Sequence, residues 1–245
     1  MASGQTLSGD PREIKRRRLA RQHARRYGRA MRATDFAHVT DWVFDLDNTL
    51  YPPSARLFEQ IELRMTAFVM ASLGVARPEA DRLRKYYWQT YGTTLAGLMS
   101  EHGIDPIPFL ADVHAIDFTA LSPDPALRAA IAALPGRRFV FTNASSSYAH
   151  KVLAARGLDA LFDQVFGVEH AGFHPKPGAE AYAAVFAQAG LAPDCAAMFE
   201  DDPRNLVVPH DLGMRTVHVA AEAVQAPFIH HHTSDLAGFL APLAR

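Results

Sequence analysis

Apolar and polar positions along the chain keep a strand rhythm at first, then a helical one, then alternate between the two. Trp42, Val43 and Phe44 form a short apolar run closed by Asp45 and Asp47. A run this short between polar residues predicts a buried strand of a parallel sheet. Pro52 and Pro53 end it in an extended turn. From about Ser54 to Val113 the spacing becomes helical and predicts no strand. Leu57, Ile61, Met65, Phe68 and Val69 share one helix face, with Ser54 the expected N-cap and Gly74 the stop. Pro78 and Glu79 open a second helix that ends at Gly92, with Leu83, Tyr86, Tyr87 and Tyr91 along one side. Leu95, Leu98 and Met99 mark a third, stopped by His102-Gly103, and a fourth is predicted over Pro106–Val113.

Beyond Ser122 strands and helices take turns. Strands are predicted over Arg138–Thr142, Gln164–Val168, Ala196–Glu200 and Arg215–Val219, and helices over Pro123–Leu134, Ser146–Arg156, Gly178–Ala189 and Pro203–Leu212. That alternation calls for an α/β fold, a Rossmann-like parallel sheet with right-handed crossovers. The first strand belongs to this later part, so the helical block is an insertion between strands one and two. The expected organisation is an extension over residues 1–35, an α/β core from 38–55 and 121–245, and a helical insert over 56–120.

Composition narrows the class. The chain has 245 residues, enough for a substantial core, and its hydrophobic and charged shares of 49% and 21% are those of a soluble globular protein. The single cysteine, Cys195, excludes an intramolecular disulfide framework, fits a reducing compartment, and reads as packing. No apolar run approaches a bilayer span and no secretory h-region is visible, so a cytoplasmic protein without a membrane partner is expected. The net charge of −1 conceals an asymmetry: residues 1–33 hold ten basic side chains against two acidic, leaving 15 basic against 24 acidic beyond. The front segment reads as a solvated basic extension in preference to a nucleic-acid arm.

The candidate chemistry sits at the strand ends, which lie on one edge of a parallel sheet, where open α/β sheets bind ligands. Asp45 and Asp47 lie on the same side of the chain if extended geometry persists. One carboxylate can attack while the other moves protons and helps place a cation. Thr142 and Asn143 precede a helix, a place suited to an oxyanion. Lys176 lies between Pro175 and Pro177, and Glu200, Asp201 and Asp202 close the fourth strand. Together these are carboxylates for a hard cation, one ammonium, and donors for a phosphate. His170 and His174 read as rim or structural residues, and His230, His231 and His232 as a solvated loop. The stripe of Tyr86, Tyr87, Trp88 and Tyr91 reads as packing, with Tyr86, Tyr87 and Tyr91 the candidate substrate contacts.

DLDNT, FTNAS, the lysine of PKP and EDD resemble the four motifs of the haloacid dehalogenase superfamily, in its Mg²⁺-dependent phosphatase branch. The likeness covers roughly Asp41 to Val219, including an inserted helical cap of the small C1 type. Dehalogenases proper lack the second aspartate of the first motif, so Asp47 argues for phosphoryl transfer. DLDNTLYPP, KYYWQTYGTTLAGLM and EHAGFHPKPGAEAY are further similar to the pyrimidine 5′-nucleotidase family, whose members dephosphorylate nucleotides such as UMP and CMP. The resemblance implies Asp45 as nucleophile, Asp47 as acid and base, and Thr142, Asn143 and Lys176 around the phosphoryl oxygens. It implies Mg²⁺ on Asp45, Asp201 and the backbone of Asp47. The fourth motif departs from the family by Glu200 in place of glycine and by Asn205, which leaves Glu200 and Asp202 as alternatives to complete the shell. The implied partner is a small phosphomonoester. The alternatives are a sugar phosphate, phosphoglycolate or a broad set of metabolites, and, in another class, an RNA- or partner-binding protein that uses the basic arm.

Overall fold

The computed structural model describes residues 33–244. The basic arm, apart from its last few residues, lies outside the described residues. Six strands form one parallel sheet: β1 Asp41–Phe44, β2 Arg137–Phe141, β3 Gln164–Phe166, β4 Ala196–Glu200, β5 Arg215–Val219 and β6 His231–Thr233. Their order is β3-β2-β1-β4-β5-β6. The order reverses between β1 and β4, and the crevice outside the carboxyl ends of such a pair is where this architecture takes its ligands.

β1 is central and buried on both faces, which is why it reads as an unbroken apolar run and not as an alternating one. Its ends are fixed by polar contacts. Trp42 Nε1 donates to Pro135 O (2.7 Å). Asp41, 3% exposed, takes two hydrogen bonds from Arg137, at 2.8 and 2.7 Å. Gly136, between Pro135 and β2, has φ +83°, and a Cβ there would stand 2.1 Å from Thr40 O. Only glycine lets these two strands start side by side.

The helical block occupies the connection from β1 to β2: α1 Leu57–Leu73, α2 Arg77–Tyr91, α3 Thr94–His102 and α4 Pro106–Val113. α5 Pro125–Ala132 follows, and α6 Ser146–Ala155, α7 Ala179–Ala189, α8 Val207–Asp211 and α9 Leu236–Leu240 complete the set. Thr93 and Asp105 cap α3 and α4 by accepting from Ala96 N and Ile107 N. Gly74 and Gly103 end α1 and α3 in the left-handed conformation. At the base of the block the outgoing and returning chain are tied together. Gln60 Nε2 donates to Asp117 O and Asp117 N–H donates to Gln60 Oε1, both at 3.0 Å.

Two expectations change. Ser54 does not cap α1. The diproline runs into a short 3₁₀ turn, Pro53–Ala55, and the chain reverses at Arg56 in a left-handed conformation (φ 55°) before the helix starts at Leu57. The histidines at 230–232 are not a solvated loop. His231–Thr233 forms β6, paired with Val217–Val219. Thr216 N–H donates to His230 Nδ1 (3.1 Å), His232 Nε2 donates to Ala220 O (2.9 Å), and Phe36 packs on the ring of His231.

Candidate active site

β1 and β4 each deliver a carboxylate to the switch point, and their ladder aligns them. Phe44 pairs with Phe199, and Asp45 N–H donates to Phe199 O (2.9 Å), which sets Asp45 beside Glu200. Lys176 arrives beneath both. Its ammonium donates to Asp45 Oδ1 (2.7 Å), Glu200 Oε2 (2.6 Å) and Phe141 O (2.9 Å), and the side chain is 1% exposed. Its loop is held by Asn143, which accepts from Lys176 N–H (2.7 Å) and donates to Lys176 O (3.0 Å). Asp201 stands next, accepting from Asn48 Nδ2 (3.2 Å), while His218 Nε2 donates to its backbone carbonyl (2.9 Å).

Asp45, Glu200 and Asp201 offer oxygens within 4.8 Å of one another. With Asp47 beside them, four carboxylates face one ammonium. The electrostatics follow from that imbalance. Burial, then Glu200, pushes Asp45 well above the usual carboxylate range against the pull of Lys176. Burial with the charge of Asp201 raises Glu200 to about 7, and burial with the charge of Asp45 raises Asp201 to about 6. Burial would strip Lys176 of its proton, but Asp45 and Glu200 overcome it and hold the ammonium charged. A dication returns such a set to its ionised form, so the donors present fit Mg²⁺, a hard ion that takes oxygen ligands.

Asp47 leaves the strand direction and meets a different environment. Its Oδ1 accepts from Tyr51 Oη (2.6 Å) and Tyr148 Oη (2.8 Å). Burial raises its carboxyl, and hydroxyl donors including Thr142 draw it back. Tyr148 is itself placed by the insert. His114, just past α4, stacks on its ring at 4.5 Å and bonds Ser145 Oγ through Nδ1 (3.0 Å).

Above these groups is a cavity of about 270 Å³. Its floor holds Asp45, Asp47, Thr142, Asn143, Lys176 and Asp201. Its ceiling is apolar and comes from the insert: Phe58, Ile61 and Met65 of α1, Trp88 of α2, Leu95 of α3, and Phe109, Leu110 and Val113 of α4. Trp88 also meets the core, with the Arg204 guanidinium 4.1 Å from its ring centre.

Several predicted residues have other tasks. Asp202 stands outside the carboxylate cluster, its side chain taken by Arg204 (2.6 Å), which holds it below the usual range against burial. Of the two alternatives beside Asp201, Glu200 is the one within the cluster. Asn143 lines the cavity but spends its amide largely on the Lys176 loop. Thr142 Oγ1 accepts from Ala144 N–H (3.0 Å). Tyr86, Tyr87 and Tyr91 do not line the cavity. Tyr87 is buried and bonds His102 Nε2 (2.7 Å), Tyr91 donates to Glu101 (2.9 Å), and Tyr86 packs against both tyrosines. From that stripe it is Trp88 that reaches the cavity. Sequence reading missed Tyr51, Tyr148 and His114. The available signal for Tyr51 was its place four residues after Asp47, within reach once the chain turns back on itself.

A family model for haloacid dehalogenase-like hydrolases matches residues 43–207. The chain belongs to that family. This hydrolase is 28% identical over 175 residues to phosphate metabolism protein 8 of Saccharomyces cerevisiae, an overlap of 65% of this chain and 54% of the yeast protein. The chain thus spans about half the length of this yeast relative. Among solved structures it resembles the L-2-haloacid dehalogenase of Xanthobacter autotrophicus, with TM-score 0.52 and 18% identity over 82% of this chain and 97% of that one. The magnesium-bound YfnB of Bacillus subtilis is similar at TM-score 0.52 and 15% identity, over 84% of this chain and 98% of that one. At these identities the two structures speak for the fold of the hydrolase. Among its described residues no helix is long and apolar enough to cross a membrane.

Proposed function

We propose that this hydrolase is a Mg²⁺-dependent phosphomonoesterase acting on pyrimidine nucleoside 5′-monophosphates. The observation that carries the reading is the division of labour between two aspartates on one floor: Asp45 lies against the Lys176 ammonium, and Asp47 is held apart by two phenols. The yeast relative, named for phosphate metabolism, supports a phosphoryl group as the part attacked.

In the first displacement Asp45 attacks phosphorus, the bond from phosphorus to the 5′-oxygen breaks, and Asp47 gives that oxygen its proton. In the second, water attacks the aspartyl phosphate, Asp47 takes a proton from it, and the bond from the Asp45 carboxylate to phosphorus breaks. Lys176 keeps Asp45 oriented and compensates its charge, and Asn143 keeps Lys176 in place. Asp45 and Asp201, with Glu200 behind them, would hold Mg²⁺, which supplies compensation for the negative charge gathered when two anions meet. The apolar ceiling with the Trp88 face supports a leaving group carrying a flat base.

Phosphate release from UMP, CMP, dTMP, AMP, GMP and ribose 5-phosphate, with Mg²⁺ and with EDTA, tests this, with Asp45→Asn alongside. Pyrimidine-selective, EDTA-sensitive release abolished by the substitution is expected. Release from ribose 5-phosphate alone would keep the two-aspartate chemistry and discard the substrate. An Asp45→Asn protein as active as the parent would discard the chemistry. The RNA-binding alternative depends on the basic arm, which lies outside the described residues.

A further inference from the structure

Tyr51 and Tyr148 converge on one oxygen of Asp47 from separate parts of the chain. Tyr51 follows Asp47 by four residues, and Tyr148 comes from α6, 101 residues away. Their hydroxyl oxygens are 3.4 Å apart. Each phenol owns a single hydrogen. An ordinary phenol is protonated at neutral pH, so each can donate to this carboxyl. With donors at 2.6 and 2.8 Å, Oδ1 accepts two hydrogen bonds. A proton on that oxygen would have to displace one of them.

We infer that Tyr51 and Tyr148 are positioning residues that reserve Oδ1 of Asp47 as an acceptor, so that the proton transferred to the leaving oxygen is carried on Oδ2. This rests on the phosphomonoesterase reading above. The clamp makes Asp47 regioselective: Oδ2–H gives its proton as the bond from phosphorus to the leaving oxygen breaks, and Oδ2 accepts the proton of the attacking water in the second half. Both rings are fixed for the purpose. Tyr51 is 2% exposed and Tyr148 is fully buried. His114 stacks on Tyr148 (4.5 Å), and Phe118 packs near it (5.8 Å). Since His114 and Phe118 lie on the segment returning from the helical insert, seating of the insert and orientation of the proton are mechanically joined.

Tyr51→Phe, Tyr148→Phe and the double variant keep the rings and remove only the hydroxyls. Each is compared with the parent on UMP, whose alkoxide must be protonated to leave, and on p-nitrophenyl phosphate, whose phenolate leaves without a proton. The clamp predicts that the ratio of kcat/KM for UMP to that for p-nitrophenyl phosphate falls about tenfold or more in the double variant, a part of the roughly 10²–10⁴-fold that general acid catalysis contributes. It also predicts that in an Asp47→Asn background, which already lacks the proton, the same substitutions leave the ratio where Asp47→Asn put it. An equal loss on both esters, as a structural role would give, overturns the inference, and so does no loss on either. If the parent cleaves another alkyl phosphate but not UMP, the nucleotide reading falls and the clamp is judged by the same ratio on that ester. If the parent cleaves no phosphomonoester, the clamp falls together with the reading beneath it.

Discussion

His114 is a buried neutral histidine, and it couples the stability of the fold to pH in a way that can be worked out in advance. It is 7% exposed, and burial, helped by Lys151 and opposed by Glu169, lowers it from the ordinary 6.5 to about 4. Above pH 6.5 it is neutral in both the folded and the unfolded chain and adds no pH dependence. Between 6.5 and about 4 the unfolded chain binds a proton that the folded one refuses, so stability falls as pH falls. The loss is about 2 kcal/mol at pH 5 and approaches about 3 kcal/mol at lower pH. His114→Phe keeps a ring against Tyr148 and removes the titration. Its own cost is the hydrogen bond to Ser145, whose Oγ retains Ser147 Oγ (3.2 Å) and Tyr148 N–H (3.3 Å), so about 1 kcal/mol is lost at every pH. The variant is therefore expected to be less stable than the parent by about 1 kcal/mol at pH 8 and more stable by about 1 kcal/mol at pH 5. The two unfolding curves exchange order near about pH 6. Urea titrations of both proteins at half-unit steps measure this directly. A difference between the two that stays constant from pH 8 to pH 5 would refute the reasoning.

Mg²⁺ at a hundredfold excess over its dissociation constant should stabilise the protein by about 2.7 kcal/mol, visible as a rise in Tm of roughly 5–10 °C. Asp201→Asn should erase most of that shift, and a full shift in the variant would place the ion elsewhere. Arg137→Met leaves the Asp41 carboxylate buried without its guanidinium. Because Arg137 itself is 44% exposed, a loss of about 2 kcal/mol is expected, below that of a fully buried pair, with Asp41→Asn recovering part of it in the double variant. A Cβ on Gly97 would lie 2.3 Å from the Tyr87 ring, so Gly97→Ala should cost about 1–3 kcal/mol in urea unfolding by forcing α2 and α3 apart.

The strand ends were legible because their chemistry is local. Asp45 follows an apolar run, Lys176 sits between two prolines, and Glu200 closes a strand, so alternation of elements alone carries them to one edge. What stayed hidden depends on contacts across long separations. Tyr148 reads as an ordinary core position of α6 until the sheet brings it to Asp47. Asp202 and Glu200 are equivalent on paper, and only the neighbouring Arg204 and Lys176 tell them apart. The stripe that contains Trp88 shows a helix face but not which way it turns: Tyr87 proved to be the packed residue, while Tyr86 stays exposed. β6 is three half-buried polar residues, too short for any period, and exists because the edge of β5 receives it. Ser54 has the chemistry of a cap, yet two prolines before it had already fixed another course.

The paired bonds between Gln60 and Asp117 have a practical consequence for exchanging parts between proteins of this architecture. A graft cut at the ends of α1 and α4 would take Gln60 and leave Asp117 behind, opening the tie and exposing two backbone groups and an amide to new neighbours. Junctions placed before Leu57 and after Thr119 carry both partners, and with them the reciprocal bonds that close the transplanted piece on itself. The seam of the helical insert thus lies several residues beyond α4, on an irregular stretch that a boundary drawn by secondary structure would discard.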